Sequence, residues 1–148
     1  MSVLDRFRLD GRRAVVTGAS RGLGRVMALA LAEAGADVVI TGRTPETLDA
    51  TAGEIRARGR QSWTLTVDMG VPAACQAAWQ RILADMGPID ILINNVGNRE
   101  VSMSIEDEPL ETWQRQMDLN LTSCFLGTKI VGGAMRARGT RAGARACW

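Results

Sequence analysis

The segment Thr17-Gly18-Ala19-Ser20-Arg21-Gly22-Leu23-Gly24 constrains this chain more than any other. It follows the β-branched run Arg13-Ala14-Val15-Val16-Thr17 directly and leads into an apolar pattern at helical spacing. Each glycine has a physical task. Gly18 permits a tight turn out of a strand, Gly22 has no Cβ to keep a pyrophosphate from the backbone, and Gly24 lets the following helix pack closely on the sheet. The free N–H groups and partial positive charge of a helix N-terminus favour phosphate at the same point. A P-loop fits less well, because no Gly-Lys-Ser/Thr follows.

The rest of the chain alternates in the same way. Apolar residues at Leu23, Val26, Met27, Ala30, Leu31 and Ala34 predict a helix ended by Gly35. Asp37–Thr41 reads as a second strand. Pro45 opens a helix with Leu48, Ala52 and Ile55 as its apolar stripe before Gly59. Ser62–Val67 reads as a third strand, and Pro72 opens a helix with Cys75, Ala78, Trp79, Ile82, Leu83 and Met86 inward. Ile89–Ile93 is the fourth and most apolar strand, and a long helical pattern runs from about Pro109 to about Met135. Alternation of this kind predicts an α/β fold, a doubly wound parallel sheet of Rossmann type covered on both faces. The expected organisation is one domain over 1–139 and an aberrant or disordered tail over 140–148.

Composition narrows the function classes. The formal net charge is +2, which gives no basic footprint for nucleic acid. No apolar run of eighteen residues occurs and the first ten residues lack a signal peptide's apolar core, so a cytoplasmic setting away from the membrane is expected. Cys75, Cys124 and Cys147 are scattered, there is no histidine, and neither a disulfide framework nor a metal site is expected.

The Gly-x-x-x-Gly-x-Gly spacing resembles the short-chain dehydrogenase/reductase family, and three further stretches strengthen the likeness. Asn94-Asn95-Val96-Gly97 resembles the family's Asn-Asn-Ala-Gly, Asp68-Met69 its acidic position on the adenine amino group, and Met117-Asp118-Leu119-Asn120-Leu121 the helix segment with its catalytic asparagine. The likeness covers nearly all of 8–139. It implies cofactor contacts from Gly18, Ser20, Arg21, Gly22, Leu23, Gly24, Arg43, Asp68, Met69, Asn94, Asn95 and Gly97, with Asn120 as the one catalytic residue present. Taken singly, the asparagines and Asp68 read better as caps, turn formers or satisfied amides, and only the joint pattern overturns that. The second strand ends in Thr41-Gly42-Arg43 with no acid at its tip, so NADP is expected over NAD, with Arg43 and Arg21 on the 2′-phosphate.

The same resemblance shows what is absent. The family's Ser, Tyr and Lys follow this region, and these 148 residues contain no tyrosine. Phe125 and Lys129 have the spacing of a Tyr-x-x-x-Lys pair, but a phenyl ring carries no proton to transfer. They read instead as core and helix surface. The chain therefore reads as the N-terminal portion of an alcohol/ketone oxidoreductase acting on a small molecule, inactive as it stands, with the parent a homo-oligomer. A non-catalytic NADP-binding module or a non-functional fragment is the alternative. Residues 98–108 are expected to border the pocket. The Arg/Ala/Gly-rich stretch from about 140 lacks Val and Ile, reads as no buried strand, and suggests either out-of-frame translation or a flexible basic tail. Without a successor strand, Ile89–Ile93 is expected to be an exposed apolar edge.

Overall fold

The computed structural model describes residues 2–98, 104–139 and 145–147. After a 3₁₀ turn (Leu4–Phe7), strands β1 (Arg13–Val16), β2 (Asp37–Gly42), β3 (Ser62–Thr66) and β4 (Ile91–Ile93) alternate with helices α1 (Gly22–Glu33), α2 (Pro45–Ala57) and α3 (Pro72–Met86). With β5 (Arg145–Cys147), all pair in parallel, in the order β3-β2-β1-β4-β5. The strand order reverses between β1 and β4, so the crevice at their carboxyl ends is the topological switch point where open α/β sheets bind ligands.

Period-two alternation sends neighbouring strand residues to opposite faces. Val16, Val38 and Ile40 pack with Ala28, Leu29, Ala32, Leu48, Ala52 and Ile55 beneath α1 and α2. Val15, Val39 and Leu92 pack with Trp79, Ile82, Val131 and Met135 on the other side. The stripes predicted for α2 and α3 face these cores. That of α1 is out of phase: Leu23 and Val26 are exposed, while Gly24, Ala28, Leu29 and Ala32 are buried. Because α1 is apolar nearly all round, periodicity cannot fix its phase. Small residues four apart decide it by letting the helix approach the sheet.

The predicted last helix is one rod interrupted twice. It comprises α4 (Leu110–Met117), a π-helical turn (Asp118–Thr122), α5 (Ser123–Gly127), a second π turn (Thr128–Gly132) and α6 (Gly133–Ala137). Beyond α6, Arg138 donates to the Ile89 carbonyl and to Asp90, fixing the end of the rod to the start of β4.

Two expectations are corrected here. Arg145–Cys147 forms strand β5, parallel to β4 with Leu92 opposite Ala146, although its composition argued against a strand. A ladder needs backbone N–H and C=O groups in register more than it needs β-branched side chains. As a result β4 is an inner strand and its edge is paired. Phe125 is not core: 58% of its surface is exposed, with the exposed Lys129 ammonium 5.6 Å from its ring centroid. In a half-buried rod, spacing alone does not tell which side faces the sheet.

Candidate cofactor cleft

The glycine loop leaves β1 through Gly18, whose φ of +65° lies in the left-handed region. A Cβ at Gly24 would stand 2.5 Å from Asn95 Nδ2 and in hard contact with the Gly18 carbonyl oxygen. The helix start therefore rests on the loop and on the β4 exit together. Gly22, at φ +56°, meets nothing within 4 Å of a built Cβ, so the backbone there stands open. The side chain of the N-cap residue Arg21 does not cap the first turn of α1, which leaves its N–H groups free of an intrahelical partner.

Thr17, not singled out from the sequence, holds the two loops together. Its buried hydroxyl accepts from the backbone N–H groups of Asn95 (2.9 Å) and Val96 (3.0 Å). Asn95 returns the contact, its side-chain amide donating to the carbonyls of Thr17 (2.8 Å) and Gly18 (3.2 Å). A β-branched residue at a strand end looks like core. Only its place one residue before the first loop glycine could have marked it.

The cleft so formed has a volume of about 130 Å³. Gly18, Ser20, Arg21, Arg43, Asp68, Met69, Asn95 and Gly97 line it, joined by Thr41, Gly42, Val67, Val96, Asn98 and Leu119. Of the predicted cofactor residues, Gly22, Leu23, Gly24 and Asn94 do not line it. Leu23 is 77% exposed on the outer side of α1, and Asn94 turns toward the rod, donating to Thr128. Asn98 is the part of the predicted 98–108 border that reaches the cleft; residues 99–103 lie outside the described residues.

The charges are arranged asymmetrically. Arg21 and Arg43 line the cleft as exposed residues, and neither is paired with an acid among the described residues. Asp68 lies on the wall, one carboxylate oxygen accepting from Gly70 N–H (2.9 Å). The buried Thr41 hydroxyl, also in the lining, has no hydrogen-bond partner among the described residues. Asn120 sits in the first π turn. Its Oδ1 accepts from Asn98 N–H (3.0 Å), and its amide donates to the carbonyls of Asn98 and Gln116 (both 2.9 Å). A Cβ on Gly97 would stand 2.7 Å from Asn120 Oδ1, so this asparagine clamps the loop that forms one wall. Open glycine backbone, an uncapped helix start and two exposed arginines suit a dinucleotide phosphate group. Among the described residues no cluster of metal-ligating side chains occurs, and no helix is long and apolar enough to cross a membrane.

Residues 12–144 match the short chain dehydrogenase family. An uncharacterized oxidoreductase of Mycobacterium tuberculosis is 48% identical over 110 residues, covering 71% of this chain and 41% of that protein. Gluconate 5-dehydrogenase of Gluconobacter oxydans is 40% identical over 139 residues, 94% of this chain and 54% of the relative. A metagenomic short-chain oxidoreductase, solved in complex with NADP, superposes with a TM-score of 0.83 at 35% identity, over 88% of this chain and 59% of that one. The chain thus spans about half the length of the relatives it matches.

Proposed function

Since the chain belongs to the short-chain dehydrogenase family, we propose that its cleft binds NADP(H) and that the whole protein interconverts an alcohol and a ketone. The observation that carries this reading is that Arg21 and Arg43 both line the glycine-loop cleft, with no acidic residue at the tip of β2. Two guanidinium groups match the oxygens of a ribose 2′-phosphate, which an acid at that tip would repel. The first-turn N–H groups of α1 face the pyrophosphate. Gly22 lets it approach, and Ser20 adds a hydroxyl to the lining. Asp68, an acceptor-only group, suits the adenine amine, with Met69 beside it. Asn95, Gly97 and Asn120 shape the opposite wall, and Asn120 is the one candidate for a role near the reacting carbon. When bound, the nicotinamide supplies or accepts the hydride.

A second reading is favoured by one fact: these 148 residues hold no tyrosine and a single lysine, Lys129, which lies on the rod surface away from the cleft. On that reading they bind the nucleotide without turning anything over. The small-molecule substrate and a homo-oligomeric parent belong to the whole protein.

NADPH titration followed by its fluorescence, with NADH as control, tests the cofactor reading. Saturable binding that prefers NADPH, with the preference flattened roughly tenfold in Arg43→Ala, is expected. A folded, soluble chain that binds neither nucleotide overturns it. Turnover of any alcohol by the same chain would remove the second reading.

A further inference from the structure

Asn94 and Asn95 leave β4 in opposite directions, as consecutive residues of an extended exit must. Asn95 reaches the glycine loop. Asn94 reaches the rod, where its Nδ2 donates to Thr128 Oγ1 at 3.2 Å and its Oδ1 lies against Gly127. Thr128 opens the second π turn. Three other hydroxyl or thiol side chains of the helices bond back onto their own backbone four residues earlier, Thr51 to Thr47, Ser123 to Leu119 and Cys124 to Asn120, while Thr122 reaches the Asp118 carboxylate. The local backbone bond is the ordinary choice for such groups in a helix. Among the described residues Thr128 does not make it, and its hydroxyl is turned to Asn94 instead.

Gly127 packs tightly against Trp79, whose ring an added Cβ would meet at 2.9 Å. The segment immediately after Asn94 is cleft wall, since Asn95, Val96, Gly97 and Asn98 all line the site. Both π turns are thus tied to this short segment: the first through Asn120 to Asn98, the second through Thr128 to Asn94.

We propose that Thr128 is a positioning residue for the cofactor cleft, acting through Asn94, whose side chain it anchors so that the next four residues hold the wall in place. The inference rests on the cleft taking NADP(H). Thr128→Val keeps the shape and removes the hydroxyl, and Thr128→Ser keeps the hydroxyl. One lost hydrogen bond of this kind corresponds to roughly a three- to tenfold loss of NADPH affinity in Thr128→Val. Thr128→Ser should bind as the wild type does. In an Asn94→Ala background, Thr128→Val should cost nothing further. Unchanged affinity in Thr128→Val, a loss that serine does not restore, or an equal loss with and without Asn94 would each overturn the proposal.

Hydrogen exchange of the cofactor-free chain separates this claim from the reading of the cleft. Thr128→Val should speed exchange at the Asn95, Val96 and Asn98 amides and leave α1 and α2 unchanged, even if NADPH does not bind. Exchange unaltered at those three amides, or raised everywhere alike, would show that Thr128 only packs.

Discussion

At the scale of single residues, the site depends on groups that hold loops rather than groups that react. Thr17 receives two backbone N–H groups on one hydroxyl. Thr17→Val leaves both without an acceptor, at about 1–3 kcal/mol each for the buried fraction, whereas Thr17→Ser keeps them. Denaturant unfolding should show Thr17→Val less stable by about 2 kcal/mol, with serine near wild type; equal midpoints would mean water replaces the hydroxyl freely. Cys75 gives a pH-dependent counterpart. Burial pushes its thiol above the ordinary value. The folded state therefore holds a proton that the unfolded chain releases from about pH 8.5 upward. Its contribution is fully present below that pH and is lost as pH rises toward the higher folded value. With no tyrosine and one lysine, few other groups titrate there. Unfolding free energy should fall above about pH 8.5, and Cys75→Ala, though less stable overall, should flatten the slope. An identical slope in both chains would assign it elsewhere.

At the scale of elements, sequence pattern carried different parts of the fold unequally. The glycine loop and the stripes of α2 and α3 were legible because one face of each is plainly apolar. The phase of α1 was not, since a helix of Gly, Ala, Leu and Val offers apolar residues on every side. The π turns were also invisible: a rod of 110–137 looks uniform in hydrophobic spacing, and the extra residue per turn shows only as side chains such as Asn120 taking over backbone partners. The same element makes a sharp test at Gly127. Replacing it by alanine would raise intrinsic helix propensity by about 1 kcal/mol. Yet the new Cβ would stand 2.9 Å from the Trp79 ring and 2.8 Å from Asn94 Oδ1. The amide can shift, but the fully buried indole cannot, and overpacking costs about 1–3 kcal/mol. Packing should win, so Gly127→Ala is expected to lower stability and to alter tryptophan emission together. A variant more stable than wild type would show that α3 and α5 can move apart at no cost.

At the scale of the whole molecule, the order β3-β2-β1-β4-β5 places the cofactor crevice at the centre of the sheet and leaves its closure on one side to a three-residue strand. The composition of that segment argued against a strand, and the reason it was misread bears on the molecule's solubility. Arg145–Cys147 supplies backbone partners to Ile91, Leu92 and Ile93. Without it those residues would form an unpaired apolar edge of the kind that recruits strands from other chains. The rod cannot take over the task, because Arg138 ties its end to the start of β4 and the rod packs on the face of the sheet, not along its edge. A chain ending at Gly139 should therefore keep its cores and its cleft, since every cleft residue lies before Leu121. It should nevertheless associate through β4. Light scattering after size-exclusion chromatography should show the shortened chain moving to dimers and larger species with rising concentration. An Ile91→Lys change, which puts a charge on the edge, should reverse that drift. If the shortened chain instead runs as the full chain does at every concentration, β5 adds nothing to the behaviour of the sheet, and the edge of β4 is protected by its brevity alone.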